Sequence, residues 1–375
     1  MLILAVDVGT GTQDILLFDS DREVENCLKM VMPSPTMRVA ASVRGATRRG
    51  DDLLLTGLMM GGGPCAWAIG DHLKAGYRVY ATPSAARTLD DDLEAVAATG
   101  VTLVSDDEAQ AFGRPVTRLY MADFDYRSIV DVFDRFDVKL DRDLDGLAIA
   151  VFDHGNAPPG VSDRLFRFRY VEERVRASNS LSAFAFWSQD VPHIMTRMQA
   201  VASSVPRDDI PVVLMDTAPA AVLGALQDPS LGRRRPVIVV NVGNFHCLAF
   251  RVGTGGIEGV FEHHTGEITV EQLEGFLDRL ADGTLTHAQV FETNGHGAIL
   301  FRDDALPPDS HYLVVTGPRR SRLRHSRLSP CFATPFGDMM LAGCYGLIRA
   351  YGDLSPQAIP TIDAALASRG EKSLW

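Results

Sequence analysis

Two stretches constrain this chain more than any others. ILAVDVGTGTQDILLFD (3–19) and VIVVNVGNFHCLAFRV (237–252) are each an apolar run, a glycine turn with small polar residues, and a second apolar run. Short apolar runs bounded by turn signals read as buried strands, so each stretch predicts a β-hairpin. A dinucleotide-binding fingerprint needs a third glycine and a following helix, and a P-loop needs Lys-Ser or Lys-Thr. Here Gly9 and Gly11 are followed by Gln13, Asp14 and a second strand, so neither fits. Two hairpins of one design predict two related halves, and 375 residues exceed what one core normally supports.

Between the hairpins the pattern is α/β. Strands are predicted over 51–60, 77–82 and 101–105, with helices over 65–76, after the Gly-Gly-Gly-Pro of 61–64, and over 89–100. A strand over 144–155 ends in Asp153 and His154, and loops at strand C-termini are where sheets carry sites. A helical region over 180–205 follows, then a buried strand at 211–216 and a small-residue helix at 217–226. Trp67, Trp187 and the phenylalanines of 184–186 are assigned to core packing. The expected division is an N-terminal α/β domain (1–205), with the first hairpin and inserted βα units, and a C-terminal α/β domain (206–375) with the second.

A formal net charge of -12 argues against nucleic acid or an anionic membrane as a partner held by surface charge. The chain opens directly on a strand pattern and has no apolar stretch of membrane-spanning length, which places it in the cytoplasm. Five cysteines without a C-x-x-C suggest reduced thiols rather than a disulfide framework or a metal knuckle.

Backbone N–H groups in a tight Gly/Thr turn can converge on phosphate oxygens, and a carboxylate at the strand end can hold the water shell of Mg²⁺. Asp7 occupies that position. In order along the chain, DVGTGTQD (7–14), DTAPAAVLGAL (216–226), VNVGNFHCLAF (240–250), YLVVTGPRR (312–320) and FGDMMLAGCYGLIRAY (336–351) resemble the five motifs of the actin, sugar-kinase and heat-shock-chaperone ATPase superfamily. These are its first phosphate hairpin, connecting helix, second phosphate hairpin, adenosine turn and last connecting helix. The resemblance implies two ribonuclease-H-like (actin-like ATPase) α/β domains around a central nucleotide cleft, with ATP and Mg²⁺ as cofactors. The sequence also resembles a prokaryotic family labelled pyruvate formate-lyase-activating-enzyme-like. That label implies radical chemistry on a cluster held by a cysteine triad, and no such triad is present.

On this resemblance Asp7 organises the metal and Asp216 is a general base, although an aspartate just before a helix can equally be its cap. The turns carrying Gly9, Thr10, Gly11, Thr12 and Gln13 and carrying Asn241, Gly243 and Asn244 cradle phosphates, and Gly317 with Arg319 borders adenosine. The chain departs from the pattern at Asn241, where the superfamily has an acid, and at Asn244 and Phe245, near its usual serine or threonine. It departs again at Pro318, in place of a glycine, and at Gln13, in place of a lysine or arginine. Three functions follow: phosphoryl transfer from ATP to a small metabolite; a slow, nucleotide-gated ATPase acting on a protein partner, which the departures favour; and a member that has left ATP and uses His154, His246, His264 and His296 for another ligand. Histidines near glycine turns can bind metal or phosphate or transfer protons. In an extended segment His263 and His264 point to opposite faces, so at most one of them serves a common site. The basic run RRSRLRHSR (319–327) could clamp an anion, or be a solvated loop.

Overall fold

The computed structural model describes the chain apart from residues 159, 233–234, 307–312, 369, 371 and 373–375. The first hairpin forms as predicted: β1 (Leu2–Val8) and β2 (Thr12–Asp19) pair antiparallel, and β3 (Leu28–Pro33) continues the meander. A segment inserted after β3 builds its own parallel sheet from β4 (Leu53–Gly57), β5 (Val79–Ala81), β6 (Thr102–Leu103) and β7 (Thr117–Met121), in the order β6-β5-β4-β7. Its core gathers Val43, Leu53, Leu55, Val79 and Met121. The chain then returns to the first sheet through β8 (Gly146–Val151), β9 (Ala185–Trp187) and β10 (Val212–Asp216).

The second sheet repeats the first. β11 (Val237–Val242), β12 (His246–Gly253) and β13 (Gly256–His264) form a meander edged by β14 (Gly297–Leu300), and β15 (Leu313–Thr316) and β16 (Cys331–Phe332) add in parallel beside β11. The orders β3-β2-β1-β8-β10 and β13-β12-β11-β15-β16 are the same path of three antiparallel strands followed by two parallel ones. These are the two ribonuclease-H-like halves that the paired hairpins imply. Parallel strands buried on both faces need continuous apolar runs, which LAIAV (147–151) and VVLM (212–215) provide.

The halves meet across two helices, Thr217–Ala225 and Ala342–Leu354. Their small residues permit a backbone-to-backbone crossing. A Cβ on Gly224 would lie 1.7 Å from the carbonyl oxygen of Ala342, and one on Gly346 would lie 1.8 Å from that of Ala220. Leucines there would hold the helices 8–10 Å apart or farther. The core beneath this crossing is shared, taking Ile3, Ala5, Leu214 and Val222 from one side and Val239, Phe250 and Val260 from the other.

Three expectations are corrected. The region 180–205 is helical by α-geometry only over Thr196–Ser204, because Ala185–Trp187 pairs with β10 as an edge strand, where tertiary pairing overrides local propensity. The strand at 212–216 belongs to the first sheet and the second begins at Val237, so the division expected at 205/206 falls too early. Trp67 is 60% exposed rather than core. The helices Pro35–Arg49 and Asp163–Ala177 have no counterpart in the predicted elements. Of the adenosine segment, Tyr312 lies outside the described residues.

The crossing makes a stability prediction. Gly346→Val is expected to cost more than the ~1–3 kcal/mol typical of overpacking, because backbone rather than a flexible side chain must move. Gly255→Ala, with nothing within 4 Å of the added carbon, should stay within about 0.5 kcal/mol of the parent. Urea unfolding followed by circular dichroism measures both.

Candidate functional site

A cavity of about 960 Å³ lies between the two hairpins, roofed by the insertion. Asp7, Gly9, Thr10, Thr12 and Asp14 line it from the first half. Asn241, Gly243, Asn244, Phe245 and His246 line it from the second, with Thr316, Gly317 and Pro318 alongside. The insertion contributes the 59–63 loop and residues 87–92.

Asp7 and Asp14 are directly opposite one another in the β1/β2 register, and both are buried. The Thr217 hydroxyl donates to Asp7 Oδ1 at 2.5 Å, while Asp14 Oδ1 has no partner among the described residues. A Cβ on Gly343 would come within 1.8 Å of Asp7 Oδ2, so the last connecting helix must present glycine there. Burial raises the Asp7 carboxyl to about 7, against the Thr217 hydrogen bond and with help from Asp216. Burial and the facing Asp7 raise Asp14 to about 8.

The turns close on themselves. Gly9 N donates to Thr12 O, and Gly243 N to His246 O, each at 2.9 Å. They also touch, because a Cβ on Gly11 would stand 2.9 Å from the Asn244 amide nitrogen. Gly317 (φ +97°) fits against Asn241, whose Oδ1 would meet a Cβ there at 2.4 Å. Phe245 turns outward onto the insertion. Its ring lies 5.4 Å from that of Trp67, over Gly63, whose Cβ would meet it at 2.6 Å.

Several expected residues do not face the cavity. Gln13 alternates to the face opposite Asp14, and its amide donates to Pro33 O at 3.3 Å. Gly11 is taken up by Asn244, and Arg319 is exposed, its Nε 3.4 Å from Asn244 Oδ1. Asp216 takes the cap of its two readings. It is 1% exposed, caps its helix through Ala218 N, and pairs with the Arg167 guanidinium instead of reaching the cavity. The basic run is also spent elsewhere: Arg322 holds the carbonyls of Thr265 and Ile268, and Arg327 pairs with Glu274 and Asp278.

Arg167 is the residue that sequence reading misses. It is 0% exposed, and it also reaches Glu262 Oε2 of the second sheet (3.2 Å) and the Asp153 carbonyl (3.1 Å), with Phe152 under its guanidinium at 4.8 Å. Burial would raise the Glu262 carboxyl, but Arg167, His296 and His246 outweigh it and hold that group well below the usual carboxylate range. Burial raises Asp216, against the pull of Arg167. A second arginine, Arg197, lines the cavity and joins the insertion to β8: it pairs with Asp123 (2.6 Å), which accepts from Gly61 N, and donates to Phe152 O (2.6 Å).

The structure brings His246, His264 and His296 together at one end of the second sheet, with one ring nitrogen of each within 4.8 Å of the others. His263 faces away, its Nε2 2.8 Å from Thr293 O, as the alternation along β13 requires. His246 lines the cavity and stacks on Phe152 at 4.0 Å. Burial pushes His296 down to about 3, and burial with the neighbouring His246 lowers His264. His154 lines the cavity apart from them, its Nδ1 2.9 Å from Gly155 O. Among the described residues no three cysteines come together.

Two halves of one topology, joined by crossed small-residue helices with a cavity between their hairpins, define an actin-like ATPase fold. The chain belongs to the family described as "Putative pyruvate format-lyase activating enzyme (DUF1786)", which matches residues 60–322. No curated protein matches the sequence. Among solved structures the chain is similar to ethanolamine utilization protein EutJ from Carboxydothermus hydrogenoformans, at 12% identity and TM-score 0.32, covering 92% of this chain and 89% of that one. It is similar to a diol dehydratase-reactivating factor in nucleotide free form at 12% identity and TM-score 0.30, covering 93% and 99%. An exopolyphosphatase-like protein matches at 13% identity and TM-score 0.25, covering 78% of this chain and 57% of that one.

Two measurements test the electrostatics. Arg167→Met leaves Asp216 and Glu262 buried without their cation and should cost about 3–5 kcal/mol in denaturant unfolding. For the carboxylate pair, Asp7 and Asp14 titrate above their ordinary value of 3.8. The folded form therefore holds more protons than the unfolded between about pH 4 and 8, and stability falls as pH rises through that window. Asp14→Asn is expected to flatten this slope in thermal unfolding without added metal.

Proposed function

We propose that the protein binds ATP with Mg²⁺ in the cavity between the hairpins and turns it over slowly, with opening and closing of the cleft as its output. The observation that carries this reading is the Asp7–Asp14 pair at the mouth of the first glycine turn. Like charges directly opposite in an antiparallel pair repel. A hard divalent cation held through carboxylate oxygens and water relieves that repulsion, and the unpartnered Asp14 Oδ1 fits such a donor set. When bound, Mg²⁺ neutralises charge on the phosphate oxygens.

The residues of this chain divide the remaining work. Backbone at Gly9, Thr10, Thr12, Gly243 and Asn244 borders the phosphates, and Gly317, Pro318, Met339 and Met340 border the base. A volume of about 960 Å³ sits at the upper end of the range for small-molecule clefts. Slow turnover is supported by the withdrawal of Asp216 to Arg167 and by the neutral Asn241. A protein partner for the output is supported by β3, the outer strand of its sheet, which exposes Leu28, Val31 and Met32. Phosphoryl transfer to a small metabolite keeps support from Arg197 and His154 on the same cavity, with a base other than Asp216.

Calorimetric titration with ATP and Mg²⁺ tests the proposal. Saturable binding is expected, weakened more than tenfold in Asp7→Ala, with slow phosphate release that Asp216→Asn changes little. No binding by folded wild type overturns the nucleotide reading. Rapid turnover appearing only with an added hydroxylated metabolite would replace the slow ATPase by a kinase.

A further inference from the structure

We infer that His246, His264 and His296 form a second metal site, for a borderline-soft divalent ion of the Zn²⁺ or Co²⁺ kind, distinct from the oxygen-ligand site at Asp7 and Asp14. The three residues come from adjacent strands. His246 and His264 are directly opposite in the β12/β13 register, and His296 immediately precedes β14, its N–H donating to Glu262 O at 2.9 Å. Ring centroids stand 4.6–5.1 Å apart. Imidazole nitrogens on a tetrahedral ion with bonds of about 2.0–2.1 Å are separated by about 3.4 Å. Closing from 4.8 Å needs only small side-chain rotations.

Independent observations point to a missing positive partner. His296 is 97% buried by its 3% exposure, and its Nδ1 has no hydrogen-bond partner among the described residues. Glu262 is fully buried, and its Oε1 accepts no aligned hydrogen bond among the described residues. That oxygen lies 3.2 Å from His246 Nδ1, out of hydrogen-bond alignment, and a modest ring rotation turns the pair into the carboxylate–imidazole contact that orients metal-binding histidines. One guanidinium, Arg167, faces two carboxylates, Asp216 and Glu262. Three imidazoles leave a tetrahedral ion one open position, and His246 places it at the cavity wall. The open position suits water or an anionic oxygen of a carboxylate or phosphate.

The assignment does not rest on the nucleotide reading, because nitrogen ligands select a different class of ion from the carboxylates of the first hairpin. The test is titration of the chelator-treated full chain with Co²⁺, followed by visible absorption and by metal analysis. One equivalent with the intense visible bands of tetrahedral Co²⁺, displaced by Zn²⁺, is expected. His264→Gln and His296→Gln should each weaken binding by more than the about 10–100-fold that loss of an orienting partner costs, and Asp7→Ala should retain it. His264 is half-buried, so its variant tests the ligand set even where His296→Gln disturbs folding, which circular dichroism reports. Absence of stoichiometric Co²⁺ in folded wild type, or binding unchanged in folded His264→Gln, overturns the assignment.

Discussion

The guanidinium of Arg167, held without solvent between a carboxylate of each half, is the interaction around which this molecule is arranged. Asp216 ends the last parallel strand of the first sheet and Glu262 lies near the end of the second meander, so the arginine fixes where one sheet stops relative to the other. Buried ion pairs are poor contributors to net stability, because desolvation consumes most of the Coulomb gain. Their effect is directional. A cation that must satisfy two carboxylates, a backbone carbonyl and an aromatic face admits one relative placement of those elements. The same contact decides chemistry, since it removes Asp216 from the cavity and keeps Glu262 ionised beside the histidines.

Around that fixed point the rest of the interface is built for close approach. Gly224, Gly346 and Gly343 lie where any side chain would collide with backbone or with Asp7. The approach leaves no room for a side chain between the two helices, so backbone contact sets their crossing. The four-stranded sheet of the insertion has a core of its own, and the segment is tied in by Arg197 and Asp123 and by Phe124, Tyr126, Ile129 and Phe133, which join the shared core.

Much of this was legible because hairpins and small-residue helices write local signals. The apolar–glycine–apolar pattern located β1/β2 and β11/β12, and the ordered motifs located the connecting helices. The cavity-lining turns follow directly from them. Arg167 was not legible: it sits in LFRFRYVEERVR, where its spacing resembles that of Arg169 and Arg174, and only tertiary packing selects it. Asp14 was visible but unweighted, although a period of two from Thr12 puts it on the cavity face and Gln13 on the other. Asp216 stays open between base and cap in the sequence for a related reason. A carboxylate at a strand end is equally suited to cap a helix, and no sequence signal shows that an arginine about fifty residues upstream claims it. The histidines converged because β13 alternation and the β12 start place His246 and His264 side by side, a register argument available from the sequence once the hairpin is granted.

Phe245 gives the second hairpin a reach that a serine or threonine turn would lack. Its ring is the projecting tooth of the turn, lodged over Gly63 against Trp67. Among the contacts of the insertion, the salt-bridged anchor at Arg197 meets one half and the Phe245–Trp67 ring contact meets the other. The insertion therefore touches both halves and spans the cavity between them.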